Sequence, residues 1–408
     1  MKPNQKGKVT VKIHKHCIMK SILIIKRFVV LLIFTGCVFI LQQCSKNEFF
    51  DDDGTNIEAI IPIAPLFDYS SIVFMGSITE NSADRVLCIM DTSGNNVRKI
   101  SNMTLGCGIK PLRSLCGTRF LVQNVIFESS LADDNSVKVT YQYELYIVDI
   151  DGTKLAQIDQ TDHTVNGYFG GFDWAPDDKH IIYVKGSHDK WDKNDLILYN
   201  ILDKTHTILQ TVGKVCTPKF SPDGKQIAYC TTVEDSHHIY KIDVVGENGK
   251  NNHLLISNAA SPKWSPQGDK IAYSSSGKER SSQIFVANED GRNQKQLTST
   301  ISPIRYPGWS PDGNNDPQWT PDGKKIVYVS WENGKPEIYI MNADGNKQTR
   351  LTVAEFRDEY PEVTPDGKHI LFSSRRSSMM DYGIIVMTLE GKNQRVLTKS
   401  GICPIASK

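Results

Sequence analysis

The sequence predicts an all-β protein and, within that class, a seven-bladed β-propeller. Two observations support this prediction. The segment Pro-x-Trp-Ser/Thr-Pro-Asp-Gly-Lys recurs along the chain, with close copies that begin at Pro218, Pro262, Pro307, Pro317 and Pro361. Short apolar runs, separated by turn residues, follow these copies. A repeat of about 44 residues is typical of arrays in which each unit folds as one small sheet.

The unit that starts at Pro317 shows how one repeat is built. Its first segment leads into the turn Pro321-Asp-Gly-Lys324, in which proline fixes φ and glycine accepts a positive φ. Two apolar segments follow, at residues 325–330 and 337–342, and the turn Ala343-Asp-Gly345 leads into the last segment. Asp-Gly between apolar runs is a strong hairpin signal. The apolar segments are nearly continuous, which predicts sheets that are covered on both faces.

The number of strand sets predicts the number of blades. Seven sets are predicted to start near Ile72, Phe120, Ile181, Ile227, Ile271, Ile326 and Ile370. The first set lacks a preceding Pro-x-Trp segment, and an unmatched segment lies at residues 404–407. We therefore expect the C-terminal strand to complete the first sheet, which removes two exposed sheet edges. The extra copy at Pro307 is interpreted as an insertion, and six or eight blades are the alternatives.

The composition argues against one class of partner. The 408 residues include 23% charged residues, and the formal net charge is +1. A nucleic-acid-binding protein normally carries a basic excess on one face, so we expect no nucleic-acid partner. Continuous helical periodicity is absent after the first 43 residues, which predicts one large β-domain over residues 66–408.

The N-terminal residues carry a targeting pattern. Lys20, Lys26 and Arg27 precede an apolar run at residues 28–41. A run of this length is typical of a signal peptide and is short for a membrane span. Met19 is an alternative start, because Met-Lys there gives a compact charged region before the apolar run.

The end of this apolar run resembles a bacterial lipoprotein signal, in which a cysteine becomes the lipidated first residue. Leu-Gln-Gln precedes Cys44, and acidic residues follow it. We predict a signal peptide at residues 1–43, a lipid anchor at Cys44 and a tether over residues 44–65. This places the protein in the bacterial cell envelope, on the periplasmic or the surface side of the outer membrane. Lipidation at Cys37 and an uncleaved membrane anchor are the alternatives.

Six cysteines follow the predicted anchor, at positions 88, 107, 116, 216, 230 and 403. An exported chain permits disulfides. Cys107 and Cys116 are the predicted pair, whereas Cys88 and Cys230 lie in or next to apolar strands and are interpreted as buried free thiols. No Cys-x-x-Cys motif occurs, so we expect neither a zinc cluster nor a redox centre.

The Pro-x-Trp-Ser-Pro-Asp-Gly-Lys unit resembles the propeller repeat of TolB, the periplasmic component of the Tol–Pal envelope system. Similar repeats occur in prolyl oligopeptidase-type enzymes, tricorn protease and oligogalacturonate lyase. The resemblance covers roughly residues 72–407 and implies a propeller, but one fold hosts many activities. TolB carries an α/β domain before its six-bladed propeller, which the short segment after Cys44 does not provide, so a complete TolB is not expected. No Gly-x-Ser-x-Gly motif occurs, which argues against a serine peptidase.

The predicted binding surface is the face of the ring that collects the variable loops. Both short turns of each repeat fall on the opposite face, and binding usually resides in irregular loops on a rigid scaffold. The candidate binding residues are aromatic and charged: Tyr168, Trp191, Arg305, Tyr306, Trp331, Arg357, Asp358, Tyr360 and Arg375. Trp191 and Trp331 could stack on sugar rings or on a partner peptide. The alternative for each residue is packing on its neighbours.

Two other sets of polar residues are interpreted as structural or solvated. The aspartates of the Pro-Asp-Gly turns repeat in nearly every unit, so they are assigned to turn geometry: Asp223, Asp312, Asp322 and Asp366. Oligogalacturonate lyase-like proteins hold a metal with histidines. Here His163, His188, His237 and His238 come from three different loops. We therefore predict no metal site and no cofactor.

These observations favour a monomeric, non-catalytic envelope lipoprotein that binds an envelope protein or a glycan through its loop face. The prediction rests on the leader, on a repeat that fills nearly the whole chain, and on the lack of a recognisable catalytic constellation. The alternative is a polysaccharide-processing enzyme, similar to oligogalacturonate lyase, with its site at the same face.

Overall fold

The structure, a computed structural model, describes most of the chain from residue 71 onwards. The described residues are 71–76, 85–101, 103, 105, 110–131, 137–152, 154–161, 167–187, 194–209, 211, 213–233, 236–243, 251–276, 281–300, 314–355, 357–375 and 382–406. The predicted signal peptide, Cys44 and the predicted tether lie outside these ranges. Within them, the regular secondary structure is β-strand.

The strands are short and follow one another closely along the chain. The first fifteen are β1 (Ser71–Gly76), β2 (Val86–Asp91), β3 (Arg98–Lys99), β4 (Leu112–Arg113), β5 (Arg119–Leu131), β6 (Val137–Asp149), β7 (Lys154–Gln160), β8 (Gly167–Trp174), β9 (His180–Ser187), β10 (Asn194–Asn200), β11 (Thr205–Leu209), β12 (Lys214–Phe220), β13 (Gln226–Val233), β14 (Ser236–Asp243) and β15 (His253–Ser257). The others are β16 (Ala259–Trp264), β17 (Lys270–Ser276), β18 (Ser282–Asn288), β19 (Lys295–Gln296), β20 (Asn314–Trp319), β21 (Lys325–Ser330), β22 (Glu337–Asn342), β23 (Thr349–Arg350), β24 (Arg357–Val363), β25 (His369–Arg375), β26 (Tyr382–Thr388), β27 (Arg395–Thr398) and β28 (Ile402–Ala406).

Over the described residues, these strands form seven four-stranded antiparallel sheets. Sheets 2 to 7 each use four consecutive strands, namely β4–β7, β8–β11, β12–β15, β16–β19, β20–β23 and β24–β27. Sheet 1 has the order β28-β1-β2-β3 and so joins the two ends of the described chain. Ile405 of β28 pairs with Val73 of β1, which is the pairing that the unmatched C-terminal segment predicted. The second of the two adjacent Pro-x-Trp copies, at Pro317, supplies β20, whereas the copy at Pro307 lies outside the described residues.

Seven apolar clusters, counted over the same residues, hold the sheets together in a cycle. Each cluster takes its side chains from two neighbouring sheets, and the last cluster joins sheet 7 back to sheet 1. In that last cluster, Phe74 of sheet 1 packs with Leu371 and Ile384 of sheet 7. The middle strands are therefore buried on both faces, as their continuous apolar runs predicted. The prediction of an all-β propeller is confirmed.

The tryptophan of the repeat links sheets 3, 5 and 6 to the sheets that precede them. The Nε1 atom of Trp264 donates to the carbonyl oxygen of Lys219 at 3.1 Å, and Trp319 Nε1 donates to Lys263 O at 3.1 Å. Trp174 Nε1 reaches Leu112 O at 3.2 Å in the same way. The Pro-x-Trp segment thus connects neighbouring sheets, because the indole ring packs in the core and its N–H donates to a backbone carbonyl group.

The innermost strand of most sheets is bent by a β-bulge just before the repeat proline. Register shifts occur there in β8, β12, β16, β20 and β24. The non-glycine residues that adopt a positive φ at this position are Thr217 (45°), Ser261 (55°), Asp316 (50°), Tyr360 (56°) and Cys403 (53°). A bulge increases the local bend and twist of a strand, and here it occurs in the strands that lie closest to one another around the ring.

The aspartates of the Pro-Asp-Gly turns bind their own turns. Asp322 Oδ1 accepts hydrogen bonds from Thr320 Oγ1 at 2.6 Å and from the backbone N–H of Lys324 at 3.0 Å. Asp223 and Asp366 make the same pair of contacts in their units. These bonds stabilise the ionised form and lower the pKa of all three carboxyl groups. The assignment of these aspartates to turn geometry fits the structure, and Asp312 lies outside the described residues.

Candidate functional site

The antiparallel order of each sheet separates two faces of the ring. The Pro-Asp-Gly turns join first to second strands and the Asp-Gly turns join third to fourth strands, so both kinds of turn lie at one end, the turn face. The start of each first strand, the end of each second strand and the start of each third strand lie at the other end, the loop face. In sheet 7 these positions are Arg357, Arg375 and Tyr382.

A group of charged and aromatic side chains gathers at the loop-face end of sheets 6 and 7. We call it the Arg357 cluster; its members are Trp331, Arg357, Glu359, Arg375 and Tyr382. The guanidinium of Arg357 lies 5.2 Å from the centre of the Trp331 ring, and its Nη1 atom is 3.3 Å from Glu359 Oε1. Tyr382 Oη donates to Glu359 Oε2 at 3.2 Å. Arg357 and Arg375 occupy directly opposed positions on β24 and β25.

Burial governs the ionisation of this cluster. Desolvation raises the pKa of the Glu359 carboxyl group, although the neighbouring Arg357 charge and the Tyr382 hydroxyl act in the opposite direction. Desolvation and the nearby Glu359 carboxylate raise the pKa of Tyr382 to about 12. Tyr382 is therefore a neutral hydrogen-bond donor at physiological pH.

Three of the predicted site residues do not form an open surface. Trp331 is only 3% exposed and packs in the core between sheets 6 and 7, so its ring is covered and does not stack on a ligand as the sequence suggested. Asp358 is 4% exposed, and its backbone N–H donates to Pro336 O at 2.9 Å. Tyr360 occupies the bulge of β24 and packs against the core between sheets 1 and 2; burial raises its pKa well above the usual value.

Tyr168 lies on the loop face but in sheet 3, away from the Arg357 cluster. The Nδ2 atom of Asn194 lies 3.4 Å from its hydroxyl oxygen, and the ammonium of Lys214 is 5.8 Å from the centre of its ring. Asn194 also bonds both backbone groups of Val215, which fixes the start of β12 beside Tyr168. The structure thus assigns Tyr168 to a second, separate position on the same face.

Several predicted residues lie outside the part of the chain that the structure describes. These are Trp191, Arg305, Tyr306, His163, His188 and Cys107, while the side chains of His237 and His238 are likewise not described. Cys116, the predicted partner of Cys107, carries a free, exposed thiol. Their roles stay predictions.

Sequence reasoning missed a ring of charges on the innermost strands. The first strands contact one another in succession, from β8 to β12, β16, β20, β24 and β28. The variable residue between the proline and the tryptophan of the repeat lies on these strands. Lys219 Nζ is 2.9 Å from Asp173 Oδ1, and Lys110 Nζ is 2.7 Å from Glu362 Oε2. The signal was a charged residue at this position in four repeats, namely Asp173, Lys219, Lys263 and Glu362. In a single repeat, such a residue looks like a solvated turn residue.

Lys263 belongs to the same ring but has a different environment. In the described part of the chain it forms no ion pair, although Lys219 and Lys110 pair with carboxylates. Burial lowers the pKa of its ammonium group to about 8, and the positive charges of Lys219 and Lys110 act in the same direction. The axis of the ring therefore presents both acidic and basic side chains.

Two features are absent from the described residues. No group of three or more His, Cys, Asp or Glu side chains is arranged there to hold a metal ion. No helix in the same ranges is long and apolar enough to cross a membrane.

The geometry defines a β-propeller whose loop face carries a charged and aromatic cluster, and comparison with known proteins gives its family. The sequence profile described as "TolB beta propeller domain" matches residues 125–315 and 314–403, which is more than half of the chain. The protein belongs to this family. The Tol-Pal system protein TolB of Hahella chejuensis is 36% identical over 77 residues, which are 19% of this chain and 16% of that protein. The chain also matches 60% of the length of an uncharacterized protein of Agrobacterium fabrum, so it spans less than two thirds of these relatives.

Solved structures confirm the fold. TolB from Acinetobacter baumannii superposes with a TM-score of 0.50 at 18% identity, covering 82% of each chain. An oligogalacturonate lyase from Vibrio parahaemolyticus superposes with a TM-score of 0.52 at 15% identity, covering 71% of this chain and 80% of the other. At such identities the likeness shows a shared propeller architecture and says nothing about activity.

Proposed function

We propose that the protein is a non-catalytic binding scaffold of the cell envelope and that it captures its partner at the loop face. The observation that carries this proposal is the Arg357 cluster. Arg357 and Arg375 occupy directly opposed positions on adjacent strands, an arrangement of like charges that is destabilising. Glu359 offsets the charge of Arg357. Guanidinium groups bind carboxylates in a bidentate geometry, so a pair of arginines at this end of the sheets favours partners with exposed carboxylates.

The position of the cluster supports the same proposal. It lies where the ends of rigid, doubly buried sheets meet irregular connections, which is the usual location of binding residues on a repeat scaffold. The carboxylate of Glu359 and the ring of Trp331 hold the Arg357 guanidinium from two sides. A guanidinium fixed in this way loses little side-chain freedom when it binds a carboxylate.

We extend the proposal to the number of blades, the oligomeric state, the anchor and the partner. The seven sheets are the seven blades of one ring, closed by β28. The ring is a monomer, carried on a tether from a lipid anchor at Cys44, with residues 1–43 removed as a signal peptide. Trp191, Arg305 and Tyr306 contribute to the same face. The partner is an envelope protein or, as the second choice, an envelope glycan; the Tol-Pal name of the relatives favours a protein.

A capture experiment with matched variants tests the proposal. Purified protein is immobilised and incubated with a detergent extract of envelopes from the source cells. The double variant Arg357→Ala/Arg375→Ala should retain a given partner about tenfold less well than the unmodified protein, since it removes the basic groups of the contact. Arg292→Ala/Lys324→Ala removes two exposed basic residues from the turn face and should bind normally.

Two outcomes would contradict the proposal. Equal loss of the partner in both double variants would show that general charge and not the loop face controls binding. Turnover of acidic oligosaccharides by the purified protein would contradict the non-catalytic role and favour the lyase alternative instead. Dependence of that turnover on His188 or His237 would identify its site.

A further inference from the structure

Two cysteines face each other on neighbouring strands of sheet 4. Cys216 of β12 and Cys230 of β13 are direct partners in the antiparallel register. Residues opposite one another in such a ladder have Cα atoms about 4.5–5.5 Å apart. A disulfide requires Cα atoms about 4.4–6.8 Å apart. The backbone therefore already holds the two residues at a separation that a disulfide accepts.

The other described cysteines lack this relationship. Cys88 and Cys403 both belong to sheet 1, but Cys88 packs toward sheet 7 and Cys403 packs toward sheet 2. Cys116 lies in an exposed turn, where its thiol contacts Ser114 and Thr118. In the part of the chain that the structure describes, Cys216 and Cys230 are thus the one pair of cysteines placed opposite each other.

The environments of the two thiols differ in a way that suits thiol–disulfide exchange. The hydrogen bond between the two thiols makes the largest contribution to the pKa shift of each. It lowers the pKa of Cys216 and raises the pKa of Cys230. Lys214 also favours the thiolate of Cys216. Cys216 is half-buried, whereas Cys230 is only 2% exposed and its thiol points to Ala259 O at 3.8 Å. Cys216 is therefore the more accessible and more easily ionised thiol.

We propose that Cys216 and Cys230 form a cross-strand disulfide when the protein meets an oxidised dithiol or glutathione disulfide. The thiolate of Cys216 attacks one sulfur of the donor disulfide and releases the first donor thiolate, which takes up a proton. The thiol of Cys230 loses its proton and attacks Cys216 Sγ, which forms the new S–S bond and releases the second donor thiol. Two protein thiols thus lose two electrons, and the donor disulfide gains both of them.

The Cys216–Cys230 disulfide would link β12 to β13 immediately beside the bulge at Thr217. Register shifts between Cys216 and Lys219, so the regular ladder between the two strands is interrupted just after this pair. A covalent link at the last regular pair would hold the bent innermost strand against its neighbour. Lys219, one of the charged residues on the innermost strands, lies three residues further along β12.

Peptide mapping under non-reducing conditions tests this inference on the full chain. Purified protein is incubated with oxidised glutathione, alkylated and digested with trypsin. The expected product links peptide 215–219 to peptide 226–241, with a mass about 2 Da below the sum of the two free peptides. Reduction with dithiothreitol should separate them. Cys116→Ser should leave the linked product unchanged.

Single cysteine variants distinguish the thiol that attacks the donor disulfide from the thiol that completes the new bond. Cys230→Ser should stop the reaction after the first step and leave glutathione attached to Cys216. Cys216→Ser should leave Cys230 unmodified in the folded protein. The inference is overturned if no linked peptide appears while Cys116, the exposed thiol, becomes modified in the same sample. Since both outcomes are read on the purified protein, they do not depend on whether the loop face binds an envelope partner.

Discussion

At the scale of single residues, Glu337 shows how a charge is built into this fold. This residue is 1% exposed at the start of β22, and its carboxylate pairs with Arg350. The backbone N–H of Ala354 and the Nδ2 atom of Asn333 each donate to the same carboxylate at 3.0 Å. A buried carboxylate is tolerated because all of these donors converge on it. It fixes the loop that precedes β22 and the connection that follows β23, both of which lie on the loop face.

Removal of this carboxylate should therefore destabilise the protein strongly. We expect Glu337→Ala to lower the free energy of unfolding by about 3 kcal/mol, because Arg350 and the buried N–H groups lose their acceptor. The measurement is the midpoint of urea unfolding followed by tryptophan fluorescence. Glu355→Ala, which removes an exposed carboxylate nearby, should change the unfolding free energy by less than about 0.5 kcal/mol. Equal midpoints for the two variants would contradict this role.

Residue patterns predicted the turns better than they predicted the site. The Asp-Gly turns were evident because glycine at a positive φ is a local requirement that the sequence displays directly. Trp331 looked like an exposed loop aromatic because it follows a strand, but tertiary packing places its ring in the core between two sheets. The partners that decide burial are supplied by β25 and β26, and no local pattern around Trp331 reveals them.

At the scale of elements, the C-terminal strand β28 completes the first sheet. β28 supplies the innermost strand of sheet 1, and Ile405 is 4% exposed where it pairs with Val73. Without this strand, β1 would present an unpaired edge with its backbone groups exposed. The first and last strands of the described chain are thus held together by hydrogen bonds in addition to core packing.

A charge placed in this strand should open the ring. We expect Ile405→Asp to lower the free energy of unfolding by about 3 kcal/mol or more, since it buries an unpaired carboxylate, and to promote self-association through the edge of β1. Thermal unfolding and size-exclusion chromatography measure the two effects. Val353→Asp places the same charge at a residue that is 81% exposed and should leave both unchanged. A similar response of the two variants would mean that β28 contributes little to closure.

The strand order could be predicted from the sequence, but the bulges could not. The period of the repeat and the apolar runs are visible in every unit, and the predicted strand sets begin in the strands that the structure shows. The bulge residues are of different types, including Thr217, Asp316 and Tyr360, and residues before proline normally avoid helical backbone conformations. Their positive φ follows from the packing of the innermost strands around the ring.

At the scale of the whole molecule, the proposed binding surface combines residues from different sheets. The charged row on the first strands, with Asp173, Lys219, Lys263 and Glu362, comes from four different sheets. The Arg357 cluster likewise combines sheets 6 and 7. Sequence analysis predicted binding at the loop face because loops alternate between the two ends of a sheet, and this stays a prediction. It could not group the residues, since their proximity depends on neighbouring sheets and not on sequence spacing.

The proposed anchor gives a prediction at this scale. Cys44→Ala should yield a protein that is released from membranes, because lipidation requires the cysteine thiol and a lipid chain supplies most of the membrane affinity. Fractionation of cells that express the variant, followed by immunoblotting, measures the soluble fraction. Cys37→Ala should remain with the membranes. Equal membrane retention of both variants would contradict lipidation at Cys44.

The most direct test of the account is photo-crosslinking from two matched positions in living cells. A benzophenone amino acid replaces Lys335, an exposed lysine of the loop face beside the Arg357 cluster, or Lys347, an exposed lysine of the turn face. A binding surface on the loop face should give a discrete adduct from position 335 on irradiation and none from position 347. The same adduct from both positions, or an adduct from position 347 alone, would contradict a binding surface on the loop face.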